Sequence, residues 1–238
     1  MNEYKKSYDK LRKRYKELKG SSLASHKIAY GKDYPRFIVE HTFPLIKDVD
    51  RNQTMFYEDT IRLMAGNDGT KLISDAIEQR MGSNITVTNI TPNFGSDLIN
   101  MAFRFQKMIT IDEHDLSILN HNINIYDLPL RVKVINEPIL KTLKRTEQEV
   151  IYVDGYFLNS KKFNKNVRIY LEDKEISDLV DLYKERSKMF VFRVPLNYDF
   201  NHMFSKISSG FYEVLGYKKD KLSRKIEFYF VIVMSKMI

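Results

Sequence analysis

Cysteine and tryptophan are absent from this chain, and glycine (9) and proline (6) are sparse over its 238 residues. Without cysteine there can be no disulfide, no thiolate metal site and no cysteine nucleophile. No apolar run reaches the about twenty residues that span a bilayer, because Glu227 interrupts the C-terminal one. The N-terminus is charged and polar, without the apolar core of a signal peptide, so assembly in the cytosol is expected. Nucleotide fingerprints are missing too: there is no Gly-x-x-x-x-Gly-Lys-Ser/Thr and no Gly-x-Gly-x-x-Gly. The five histidines (His26, His41, His114, His121, His202) show no pair spaced for one helix face beside a carboxylate.

What is present is aromatic and basic. Fifteen Phe and fifteen Tyr within a 43% hydrophobic composition mark a globular chain with a large core. The net charge of +8 is uneven. Residues 1–36 carry +7, residues 37–140 carry −5 and residues 141–238 carry +6. Basic ends on an acidic body argue against one continuous nucleic-acid groove.

Period-two alternation over Asn84–Asn136 predicts strands at Ile85–Ile90, Asn100–Gln106, Asn122–Tyr126 and Leu130–Val134. Asp154-Gly155, between two β-prone runs of Val150–Leu158, predicts a hairpin. A further strand is expected at Val167–Leu171, another at Phe190–Val194, and a two-faced one at Lys225–Met234 that must lie between layers or subunits. Helical spacing marks residues 2–19, Thr54–Ala65, Thr70–Met81, Asp173–Met189 and a stretch from Phe200 to Val214. The expected fold class is therefore α+β: N-terminal helices, central antiparallel β-ribbons, then C-terminal helices and a buried strand. A single domain over 1–238 would comprise a basic arm (1–20), a helical part (21–83), a β-rich part (84–172) and an α/β part (173–238).

No catalytic, cofactor-binding or metal-binding residue is assigned by these patterns. Asp112-Glu113-His114-Asp115 concentrates carboxylates, and a magnesium nuclease using Asp112, Glu113 and Asp115 is one alternative. Its place between two apolar runs makes a polar turn the simpler expectation. The basic N-terminal segment suggests a second alternative, a nucleic-acid-binding replication or regulatory protein. The candidate subunit-interface residues are the stripe Tyr4, Tyr8, Leu11, Tyr15 and Leu18, together with Phe228, Phe230 and Ile232 of the last strand.

Pro92-Asn93-Phe94-Gly95-Ser96-Asp97-Leu98 resembles the Pro-Asp-Phe-Gly-Ser-x-Leu element of the baseplate-wedge family of contractile phage tails, with Asn93 in place of aspartate. The order of the whole chain resembles the lower collar, or head–tail connector, proteins of small short-tailed phages. That likeness rests on the basic helix Tyr8–Gly20, the Lys32-Asp-Tyr-Pro-Arg-Phe37 segment, and the helices and ribbons that follow. It implies a non-enzymatic virion protein without cofactor, assembled in the host cytoplasm. Such a protein would form a closed homo-oligomeric ring, on the order of twelve copies, contacting portal and tail proteins, with DNA passing through its lumen and no membrane partner.

Overall fold

A computed structural model describes residues 27–155, 166–207, 210–218 and 225–235. Seven strands form its central sheet: β3 (Thr86–Asn89), β4 (Lys107–Asp112), β5 (Val132–Asn136), β6 (Val150–Asp154), β9 (Met189–Val194), β10 (Phe211–Tyr217) and β11 (Phe228–Met234). Their spatial order is β10-β11-β9-β6-β3-β4-β5. The five strands β3, β4, β5, β6 and β9 pair in parallel, while β11 runs antiparallel to both β9 and β10. Two small two-stranded sheets stand beside it, β1 (Ile28–Tyr30) with β2 (Met55–Tyr57) and β7 (Tyr170–Leu171) with β8 (Lys174–Glu175).

Helices cover both faces. On one face lie α1 (Arg36–Thr42), α2 (Gly66–Met81), α3 (Ser96–Ala102) and α4 (Ser117–Ile125). They pack over Val87, Met108, Val150, Tyr152, Val191, Phe230 and Ile232. On the other lie α5 (Ile139–Leu143), α6 (Asp178–Tyr183) and α7 (Phe200–Lys206), over Ile109, Ile151, Val153, Phe190, Phe192, Val231 and Val233. Alternate residues of one strand therefore enter opposite cores, as period two requires. Burial on both faces explains why β11 reads as an unbroken apolar run and why β6 and β9 are apolar but for Asp154 and Arg193, each fully buried large side chain contributing about 1.5–3 kcal/mol.

The α+β expectation of antiparallel ribbons is corrected. Strands are expected at Asn100–Gln106 and Asn122–Tyr126, but Asn100–Ala102 end α3, Phe103–Gln106 turn into β4, and Asn122–Ile125 lie in α4. Each helix carries the chain back across the sheet, so its neighbours pair in parallel, whereas a hairpin would have made them antiparallel. Likewise β6 has β3 and β9 as parallel neighbours, so Asp154-Gly155 ends a buried strand; residues 156–158 of the expected hairpin lie outside the described residues. The Phe200–Val214 helix stops at Lys206, and Phe211–Val214 belong to β10. Asp173–Met189 shortens to the helix α6, and Thr54–Ala65 holds β2 and a short 3-10 turn (Ile61–Leu63). Helix α2 and strands β3, β9 and β11 lie where periodicity predicts them. Among the described residues no helix is long and apolar enough to cross a membrane.

The path β3–β4–β5 builds outward in one direction, then β6 returns to the other side of β3. The strand order thus reverses between β3 and β6. In open α/β sheets the crevice beyond the carboxyl ends of the strands at such a reversal is where ligands bind.

Candidate functional site

Three tips meet at this reversal. After β3 the chain turns through Ile90–Gly95. Asn89 opens the turn by accepting the Thr91 backbone N–H at 2.9 Å on its Oδ1, a local bond that short polar side chains make readily. The Thr91 Oγ1 in turn accepts the Asp154 N–H at 2.6 Å, tying the turn to the tip of β6. Asn93 (φ 50°) and Gly95 (φ 95°) both sit in left-handed conformations, which asparagine tolerates and glycine adopts freely. At Gly95 a second constraint applies: a Cβ would come within 2.6 Å of the Leu119 Cδ1. The bend of the turn and the close approach of α4 need the same missing atom.

Behind the turn lies a dry ionic cluster. Asp97, in the first turn of α3, accepts from the Thr70 hydroxyl and the Tyr152 hydroxyl, both at 2.9 Å. Arg193 of β9 donates from Nη1 to both oxygens of Asp154 (3.0 and 2.8 Å) and from Nη2 to the Leu63 carbonyl at 2.7 Å. Its guanidinium lies 4.2 Å from the centre of the Phe228 ring. Burial pushes the Asp154 carboxyl up, Arg193 pulls against that, and neighbouring Asp97 adds to the rise. Burial and the same two carboxylates push the Tyr152 hydroxyl up, so it stays a donor.

At the tip of β4, Asp112 Oδ1 receives the His114 N–H at 3.0 Å, with the His114 Nδ1 2.5 Å away. Asn136, its register partner on β5, donates to the His114 carbonyl at 2.6 Å. Asp115 caps the entry to α4, accepting the Ser117 N–H and hydroxyl at 2.9 and 3.1 Å. The Asp112–Asp115 stretch is thus a turn, as expected, and it also stands on the rim of the crevice. The nuclease alternative is corrected: Asp115 serves a helix start, and among the described residues no three His, Asp or Glu side chains are grouped to hold a metal.

The chain's other candidates fall elsewhere. Phe230 and Ile232 are fully buried and Phe228 nearly so, all within the chain's own sheet between β9 and β10. Tyr4, Tyr8, Leu11, Tyr15 and Leu18 lie outside the described residues, as does most of the basic segment behind the nucleic-acid alternative. Sequence reading missed Asp97, Tyr152, Asp154 and Arg193. The one available signal was a charged residue inside a strand otherwise apolar throughout, Met-Phe-Val-Phe-Arg-Val for β9.

No protein-family model matches this chain. An uncharacterized protein of Acanthamoeba polyphaga mimivirus is 26% identical over 145 residues, 56% of this chain and 54% of that protein, so the chain spans about half the length of the curated relative it matches. Solved structures share its fold. Precorrin-6y C5,15-methyltransferase of Geobacter metallireducens superposes with a TM-score of 0.52 at 12% identity, over 84% of this chain and 100% of that one. The SAM-dependent O-methyltransferase of Thermotoga maritima gives 0.52 at 12% identity, over 74% and 69% of the two chains. A SAM-dependent methyltransferase of Agrobacterium tumefaciens gives 0.51 at 14%, over 70% and 61%. The fold is the Rossmann-like fold of class I methyltransferases, with its seven-stranded, mostly parallel sheet.

These findings overturn the lower collar and baseplate-wedge resemblances. Pro92–Leu98 is the turn and first helical residues at the reversal of a parallel sheet. The expectation of a non-enzymatic virion subunit, a connector or tail ring, rested on those resemblances and is overturned with them: the fold is shared with the methyltransferases named above.

Proposed function

We propose that the chain is an S-adenosylmethionine-dependent methyltransferase whose cofactor lies across the tips of β3 and β4. The observation that carries this reading is the arrangement at the switch point. A tight turn after β3 and a carboxylate ending β4 stand side by side, in a sheet whose β11 is reversed between β9 and β10. The residues present fit the nucleoside end of the cofactor. An ionised carboxylate is an acceptor only, as a ribose diol requires, and both contacts that shape its turn go to Asp112 Oδ1. Asp112 follows Gly95 by seventeen residues, close to the about twenty that separate phosphate turn and ribose carboxylate in dinucleotide-binding folds. The turn has one glycine where such folds use three, yet Asn93 supplies a second left-handed residue, and the Thr91 side chain is tied back to β6.

When bound, the cofactor supplies an electrophilic methyl group. The chain's own residues then divide the remaining work. Asp112 orients the sugar, and the Asn89–Thr91–Asp154 bonds hold the turn in register with β6. Asp154 has both oxygens engaged by Arg193, so it acts as a fixed wall of the site.

Thermal unfolding with S-adenosylhomocysteine tests the proposal. At a ligand concentration about 100 times Kd the linkage gain is about 2.7 kcal/mol, a rise in Tm of about 5–10 °C for a chain of this size. Asp112→Ala is expected to remove most of that rise while leaving the ligand-free Tm nearly unchanged. A wild-type protein whose Tm ignores millimolar ligand would sink the reading.

A further inference from the structure

Residues 55–65 form a strap along the rim of the crevice, anchored at both ends by side chains of the sheet's layers. At the β4 end, Asn122 of α4 accepts the Met55 N–H at 2.8 Å and donates to the Met55 carbonyl at 2.7 Å. Its second amide hydrogen goes to the Phe94 carbonyl, in the turn after β3, at 2.8 Å. Tyr57 then stands near Asp112 and Asp115; burial first, and their charges next, push its hydroxyl up. Thr60 and Ile61 are buried, Ile61 within the core beneath α2. At the far end the Leu63 carbonyl meets Arg193 of β9. Between β4 and β9 lie β3 and β6, the two strands of the switch point. The strap therefore bridges the rim from the tip of β4 to the tips of β6 and β9 before α2 begins at Gly66.

We propose that Arg193 is a positioning residue that clamps the far end of this strap beside the site, coupling strap order to ligand occupancy. One guanidinium serves two masters: Nη1 holds the wall carboxylate Asp154, and Nη2 holds the strap. Lysine can keep the first contact but lacks the rigid fork that makes both at once. The ligand part of this inference rests on the methyltransferase reading; the clamp itself does not.

Hydrogen exchange on the full chain, with and without S-adenosylhomocysteine, tests it. In the ligand-free wild type, amides 58–65 should exchange about tenfold more slowly than in Arg193→Lys or in Arg193→Met paired with Asp154→Leu, which strands no buried carboxylate, the size expected for one charge-assisted bond, while β4 and β11 stay equally protected. Ligand should slow exchange of 58–65 further in the wild type and leave it unchanged in both variants, with ligand Kd weakened about tenfold. If the paired variant fails to fold, the lysine variant decides the matter. Unchanged exchange at 58–65, or a uniform rise over the whole chain, would overturn the clamp. A wild type that binds no ligand would instead overturn the methyltransferase reading, and the ligand-free comparison would still decide the clamp.

Discussion

Two ionic clusters in this molecule use the same residue types to opposite effect. At the reversal of the sheet, Arg193 and Asp154 are both buried, and the guanidinium answers one carboxylate and one carbonyl. Some distance along the chain, Glu175 of β8 is also buried, but its Oε2 receives both the His202 Nε2 at 2.9 Å and the Lys206 Nζ at 3.2 Å. Lys206 also reaches Asp178 at 2.7 Å and is about a third exposed. In the first cluster one guanidinium faces buried Asp154, with the charge of Asp97 close by. The second has a spare cation and access to water. A buried pair broken on one side leaves an uncompensated charge, whereas a redundant, half-wet pair can rearrange.

The sharpest way to break this comparison is Asp154→Ala, which should lose about 3–5 kcal/mol of stability in chemical denaturation. Joint replacement, Asp154→Leu with Arg193→Met, should recover much of that loss, because an apolar pair of similar volume is often neutral or better than a buried ion pair. A double-mutant cycle reads the coupling directly. Lys206→Met should cost about 1 kcal/mol or less, since His202 still serves Glu175. A loss as large as that of Asp154→Ala would erase the distinction.

A smaller effect separates the clusters from the protein's wetter surface. Burial alone would push Asp75 of α2 up, but hydrogen bonds from Lys71 and Arg104 outweigh it and hold the carboxyl below its ordinary value. A carboxylate depressed in the folded state contributes stability above its unfolded value, near pH 3.9, and loses it as pH falls through the folded value. Asp75→Asn should therefore flatten the acid limb of stability below about pH 4, by removing at neutral pH a small contribution that the wild type loses only as pH falls. A variant whose acid limb matched the wild type would remove Asp75 from that slope.

Much of the sheet was legible in the sequence, and its connectivity was not. β11 announces itself as apolar on both faces, and that pattern demanded layers or subunits on each side; the layers belong to the chain itself. Helices α3 and α4 were hidden by short windows. Asn-Ile-Asn-Ile-Tyr over 122–126 alternates like a strand, and asparagine and β-branched isoleucine are indifferent helix formers. Over the longer span the buried Leu116, Leu119, Ile123 and Tyr126 show the helical spacing of 3, 4 and 3. Once those two helices become strands, every crossover becomes a hairpin and the parallel sheet disappears. The site suffered likewise. Asp112 was singled out and its turn recognised, but its meaning depends on β4 lying beside β3, which no local pattern encodes. Asp154 looked like half of a turn because Asp-Gly favours one; the arginine that claims it stands 39 residues further on.

Asn122 has a consequence at the outer edge of the small β1–β2 sheet. Its carboxamide presents one acceptor and one donor to the Met55 peptide, as the next strand of a sheet would. An open strand edge invites the backbone of another chain to add to it. Here the vacancy beside Met55 is filled by a single side chain that imitates a peptide unit. Leucine at this position would leave the Met55 and Phe94 groups to be satisfied from outside, and the strap's edge would become a place for a foreign strand to start.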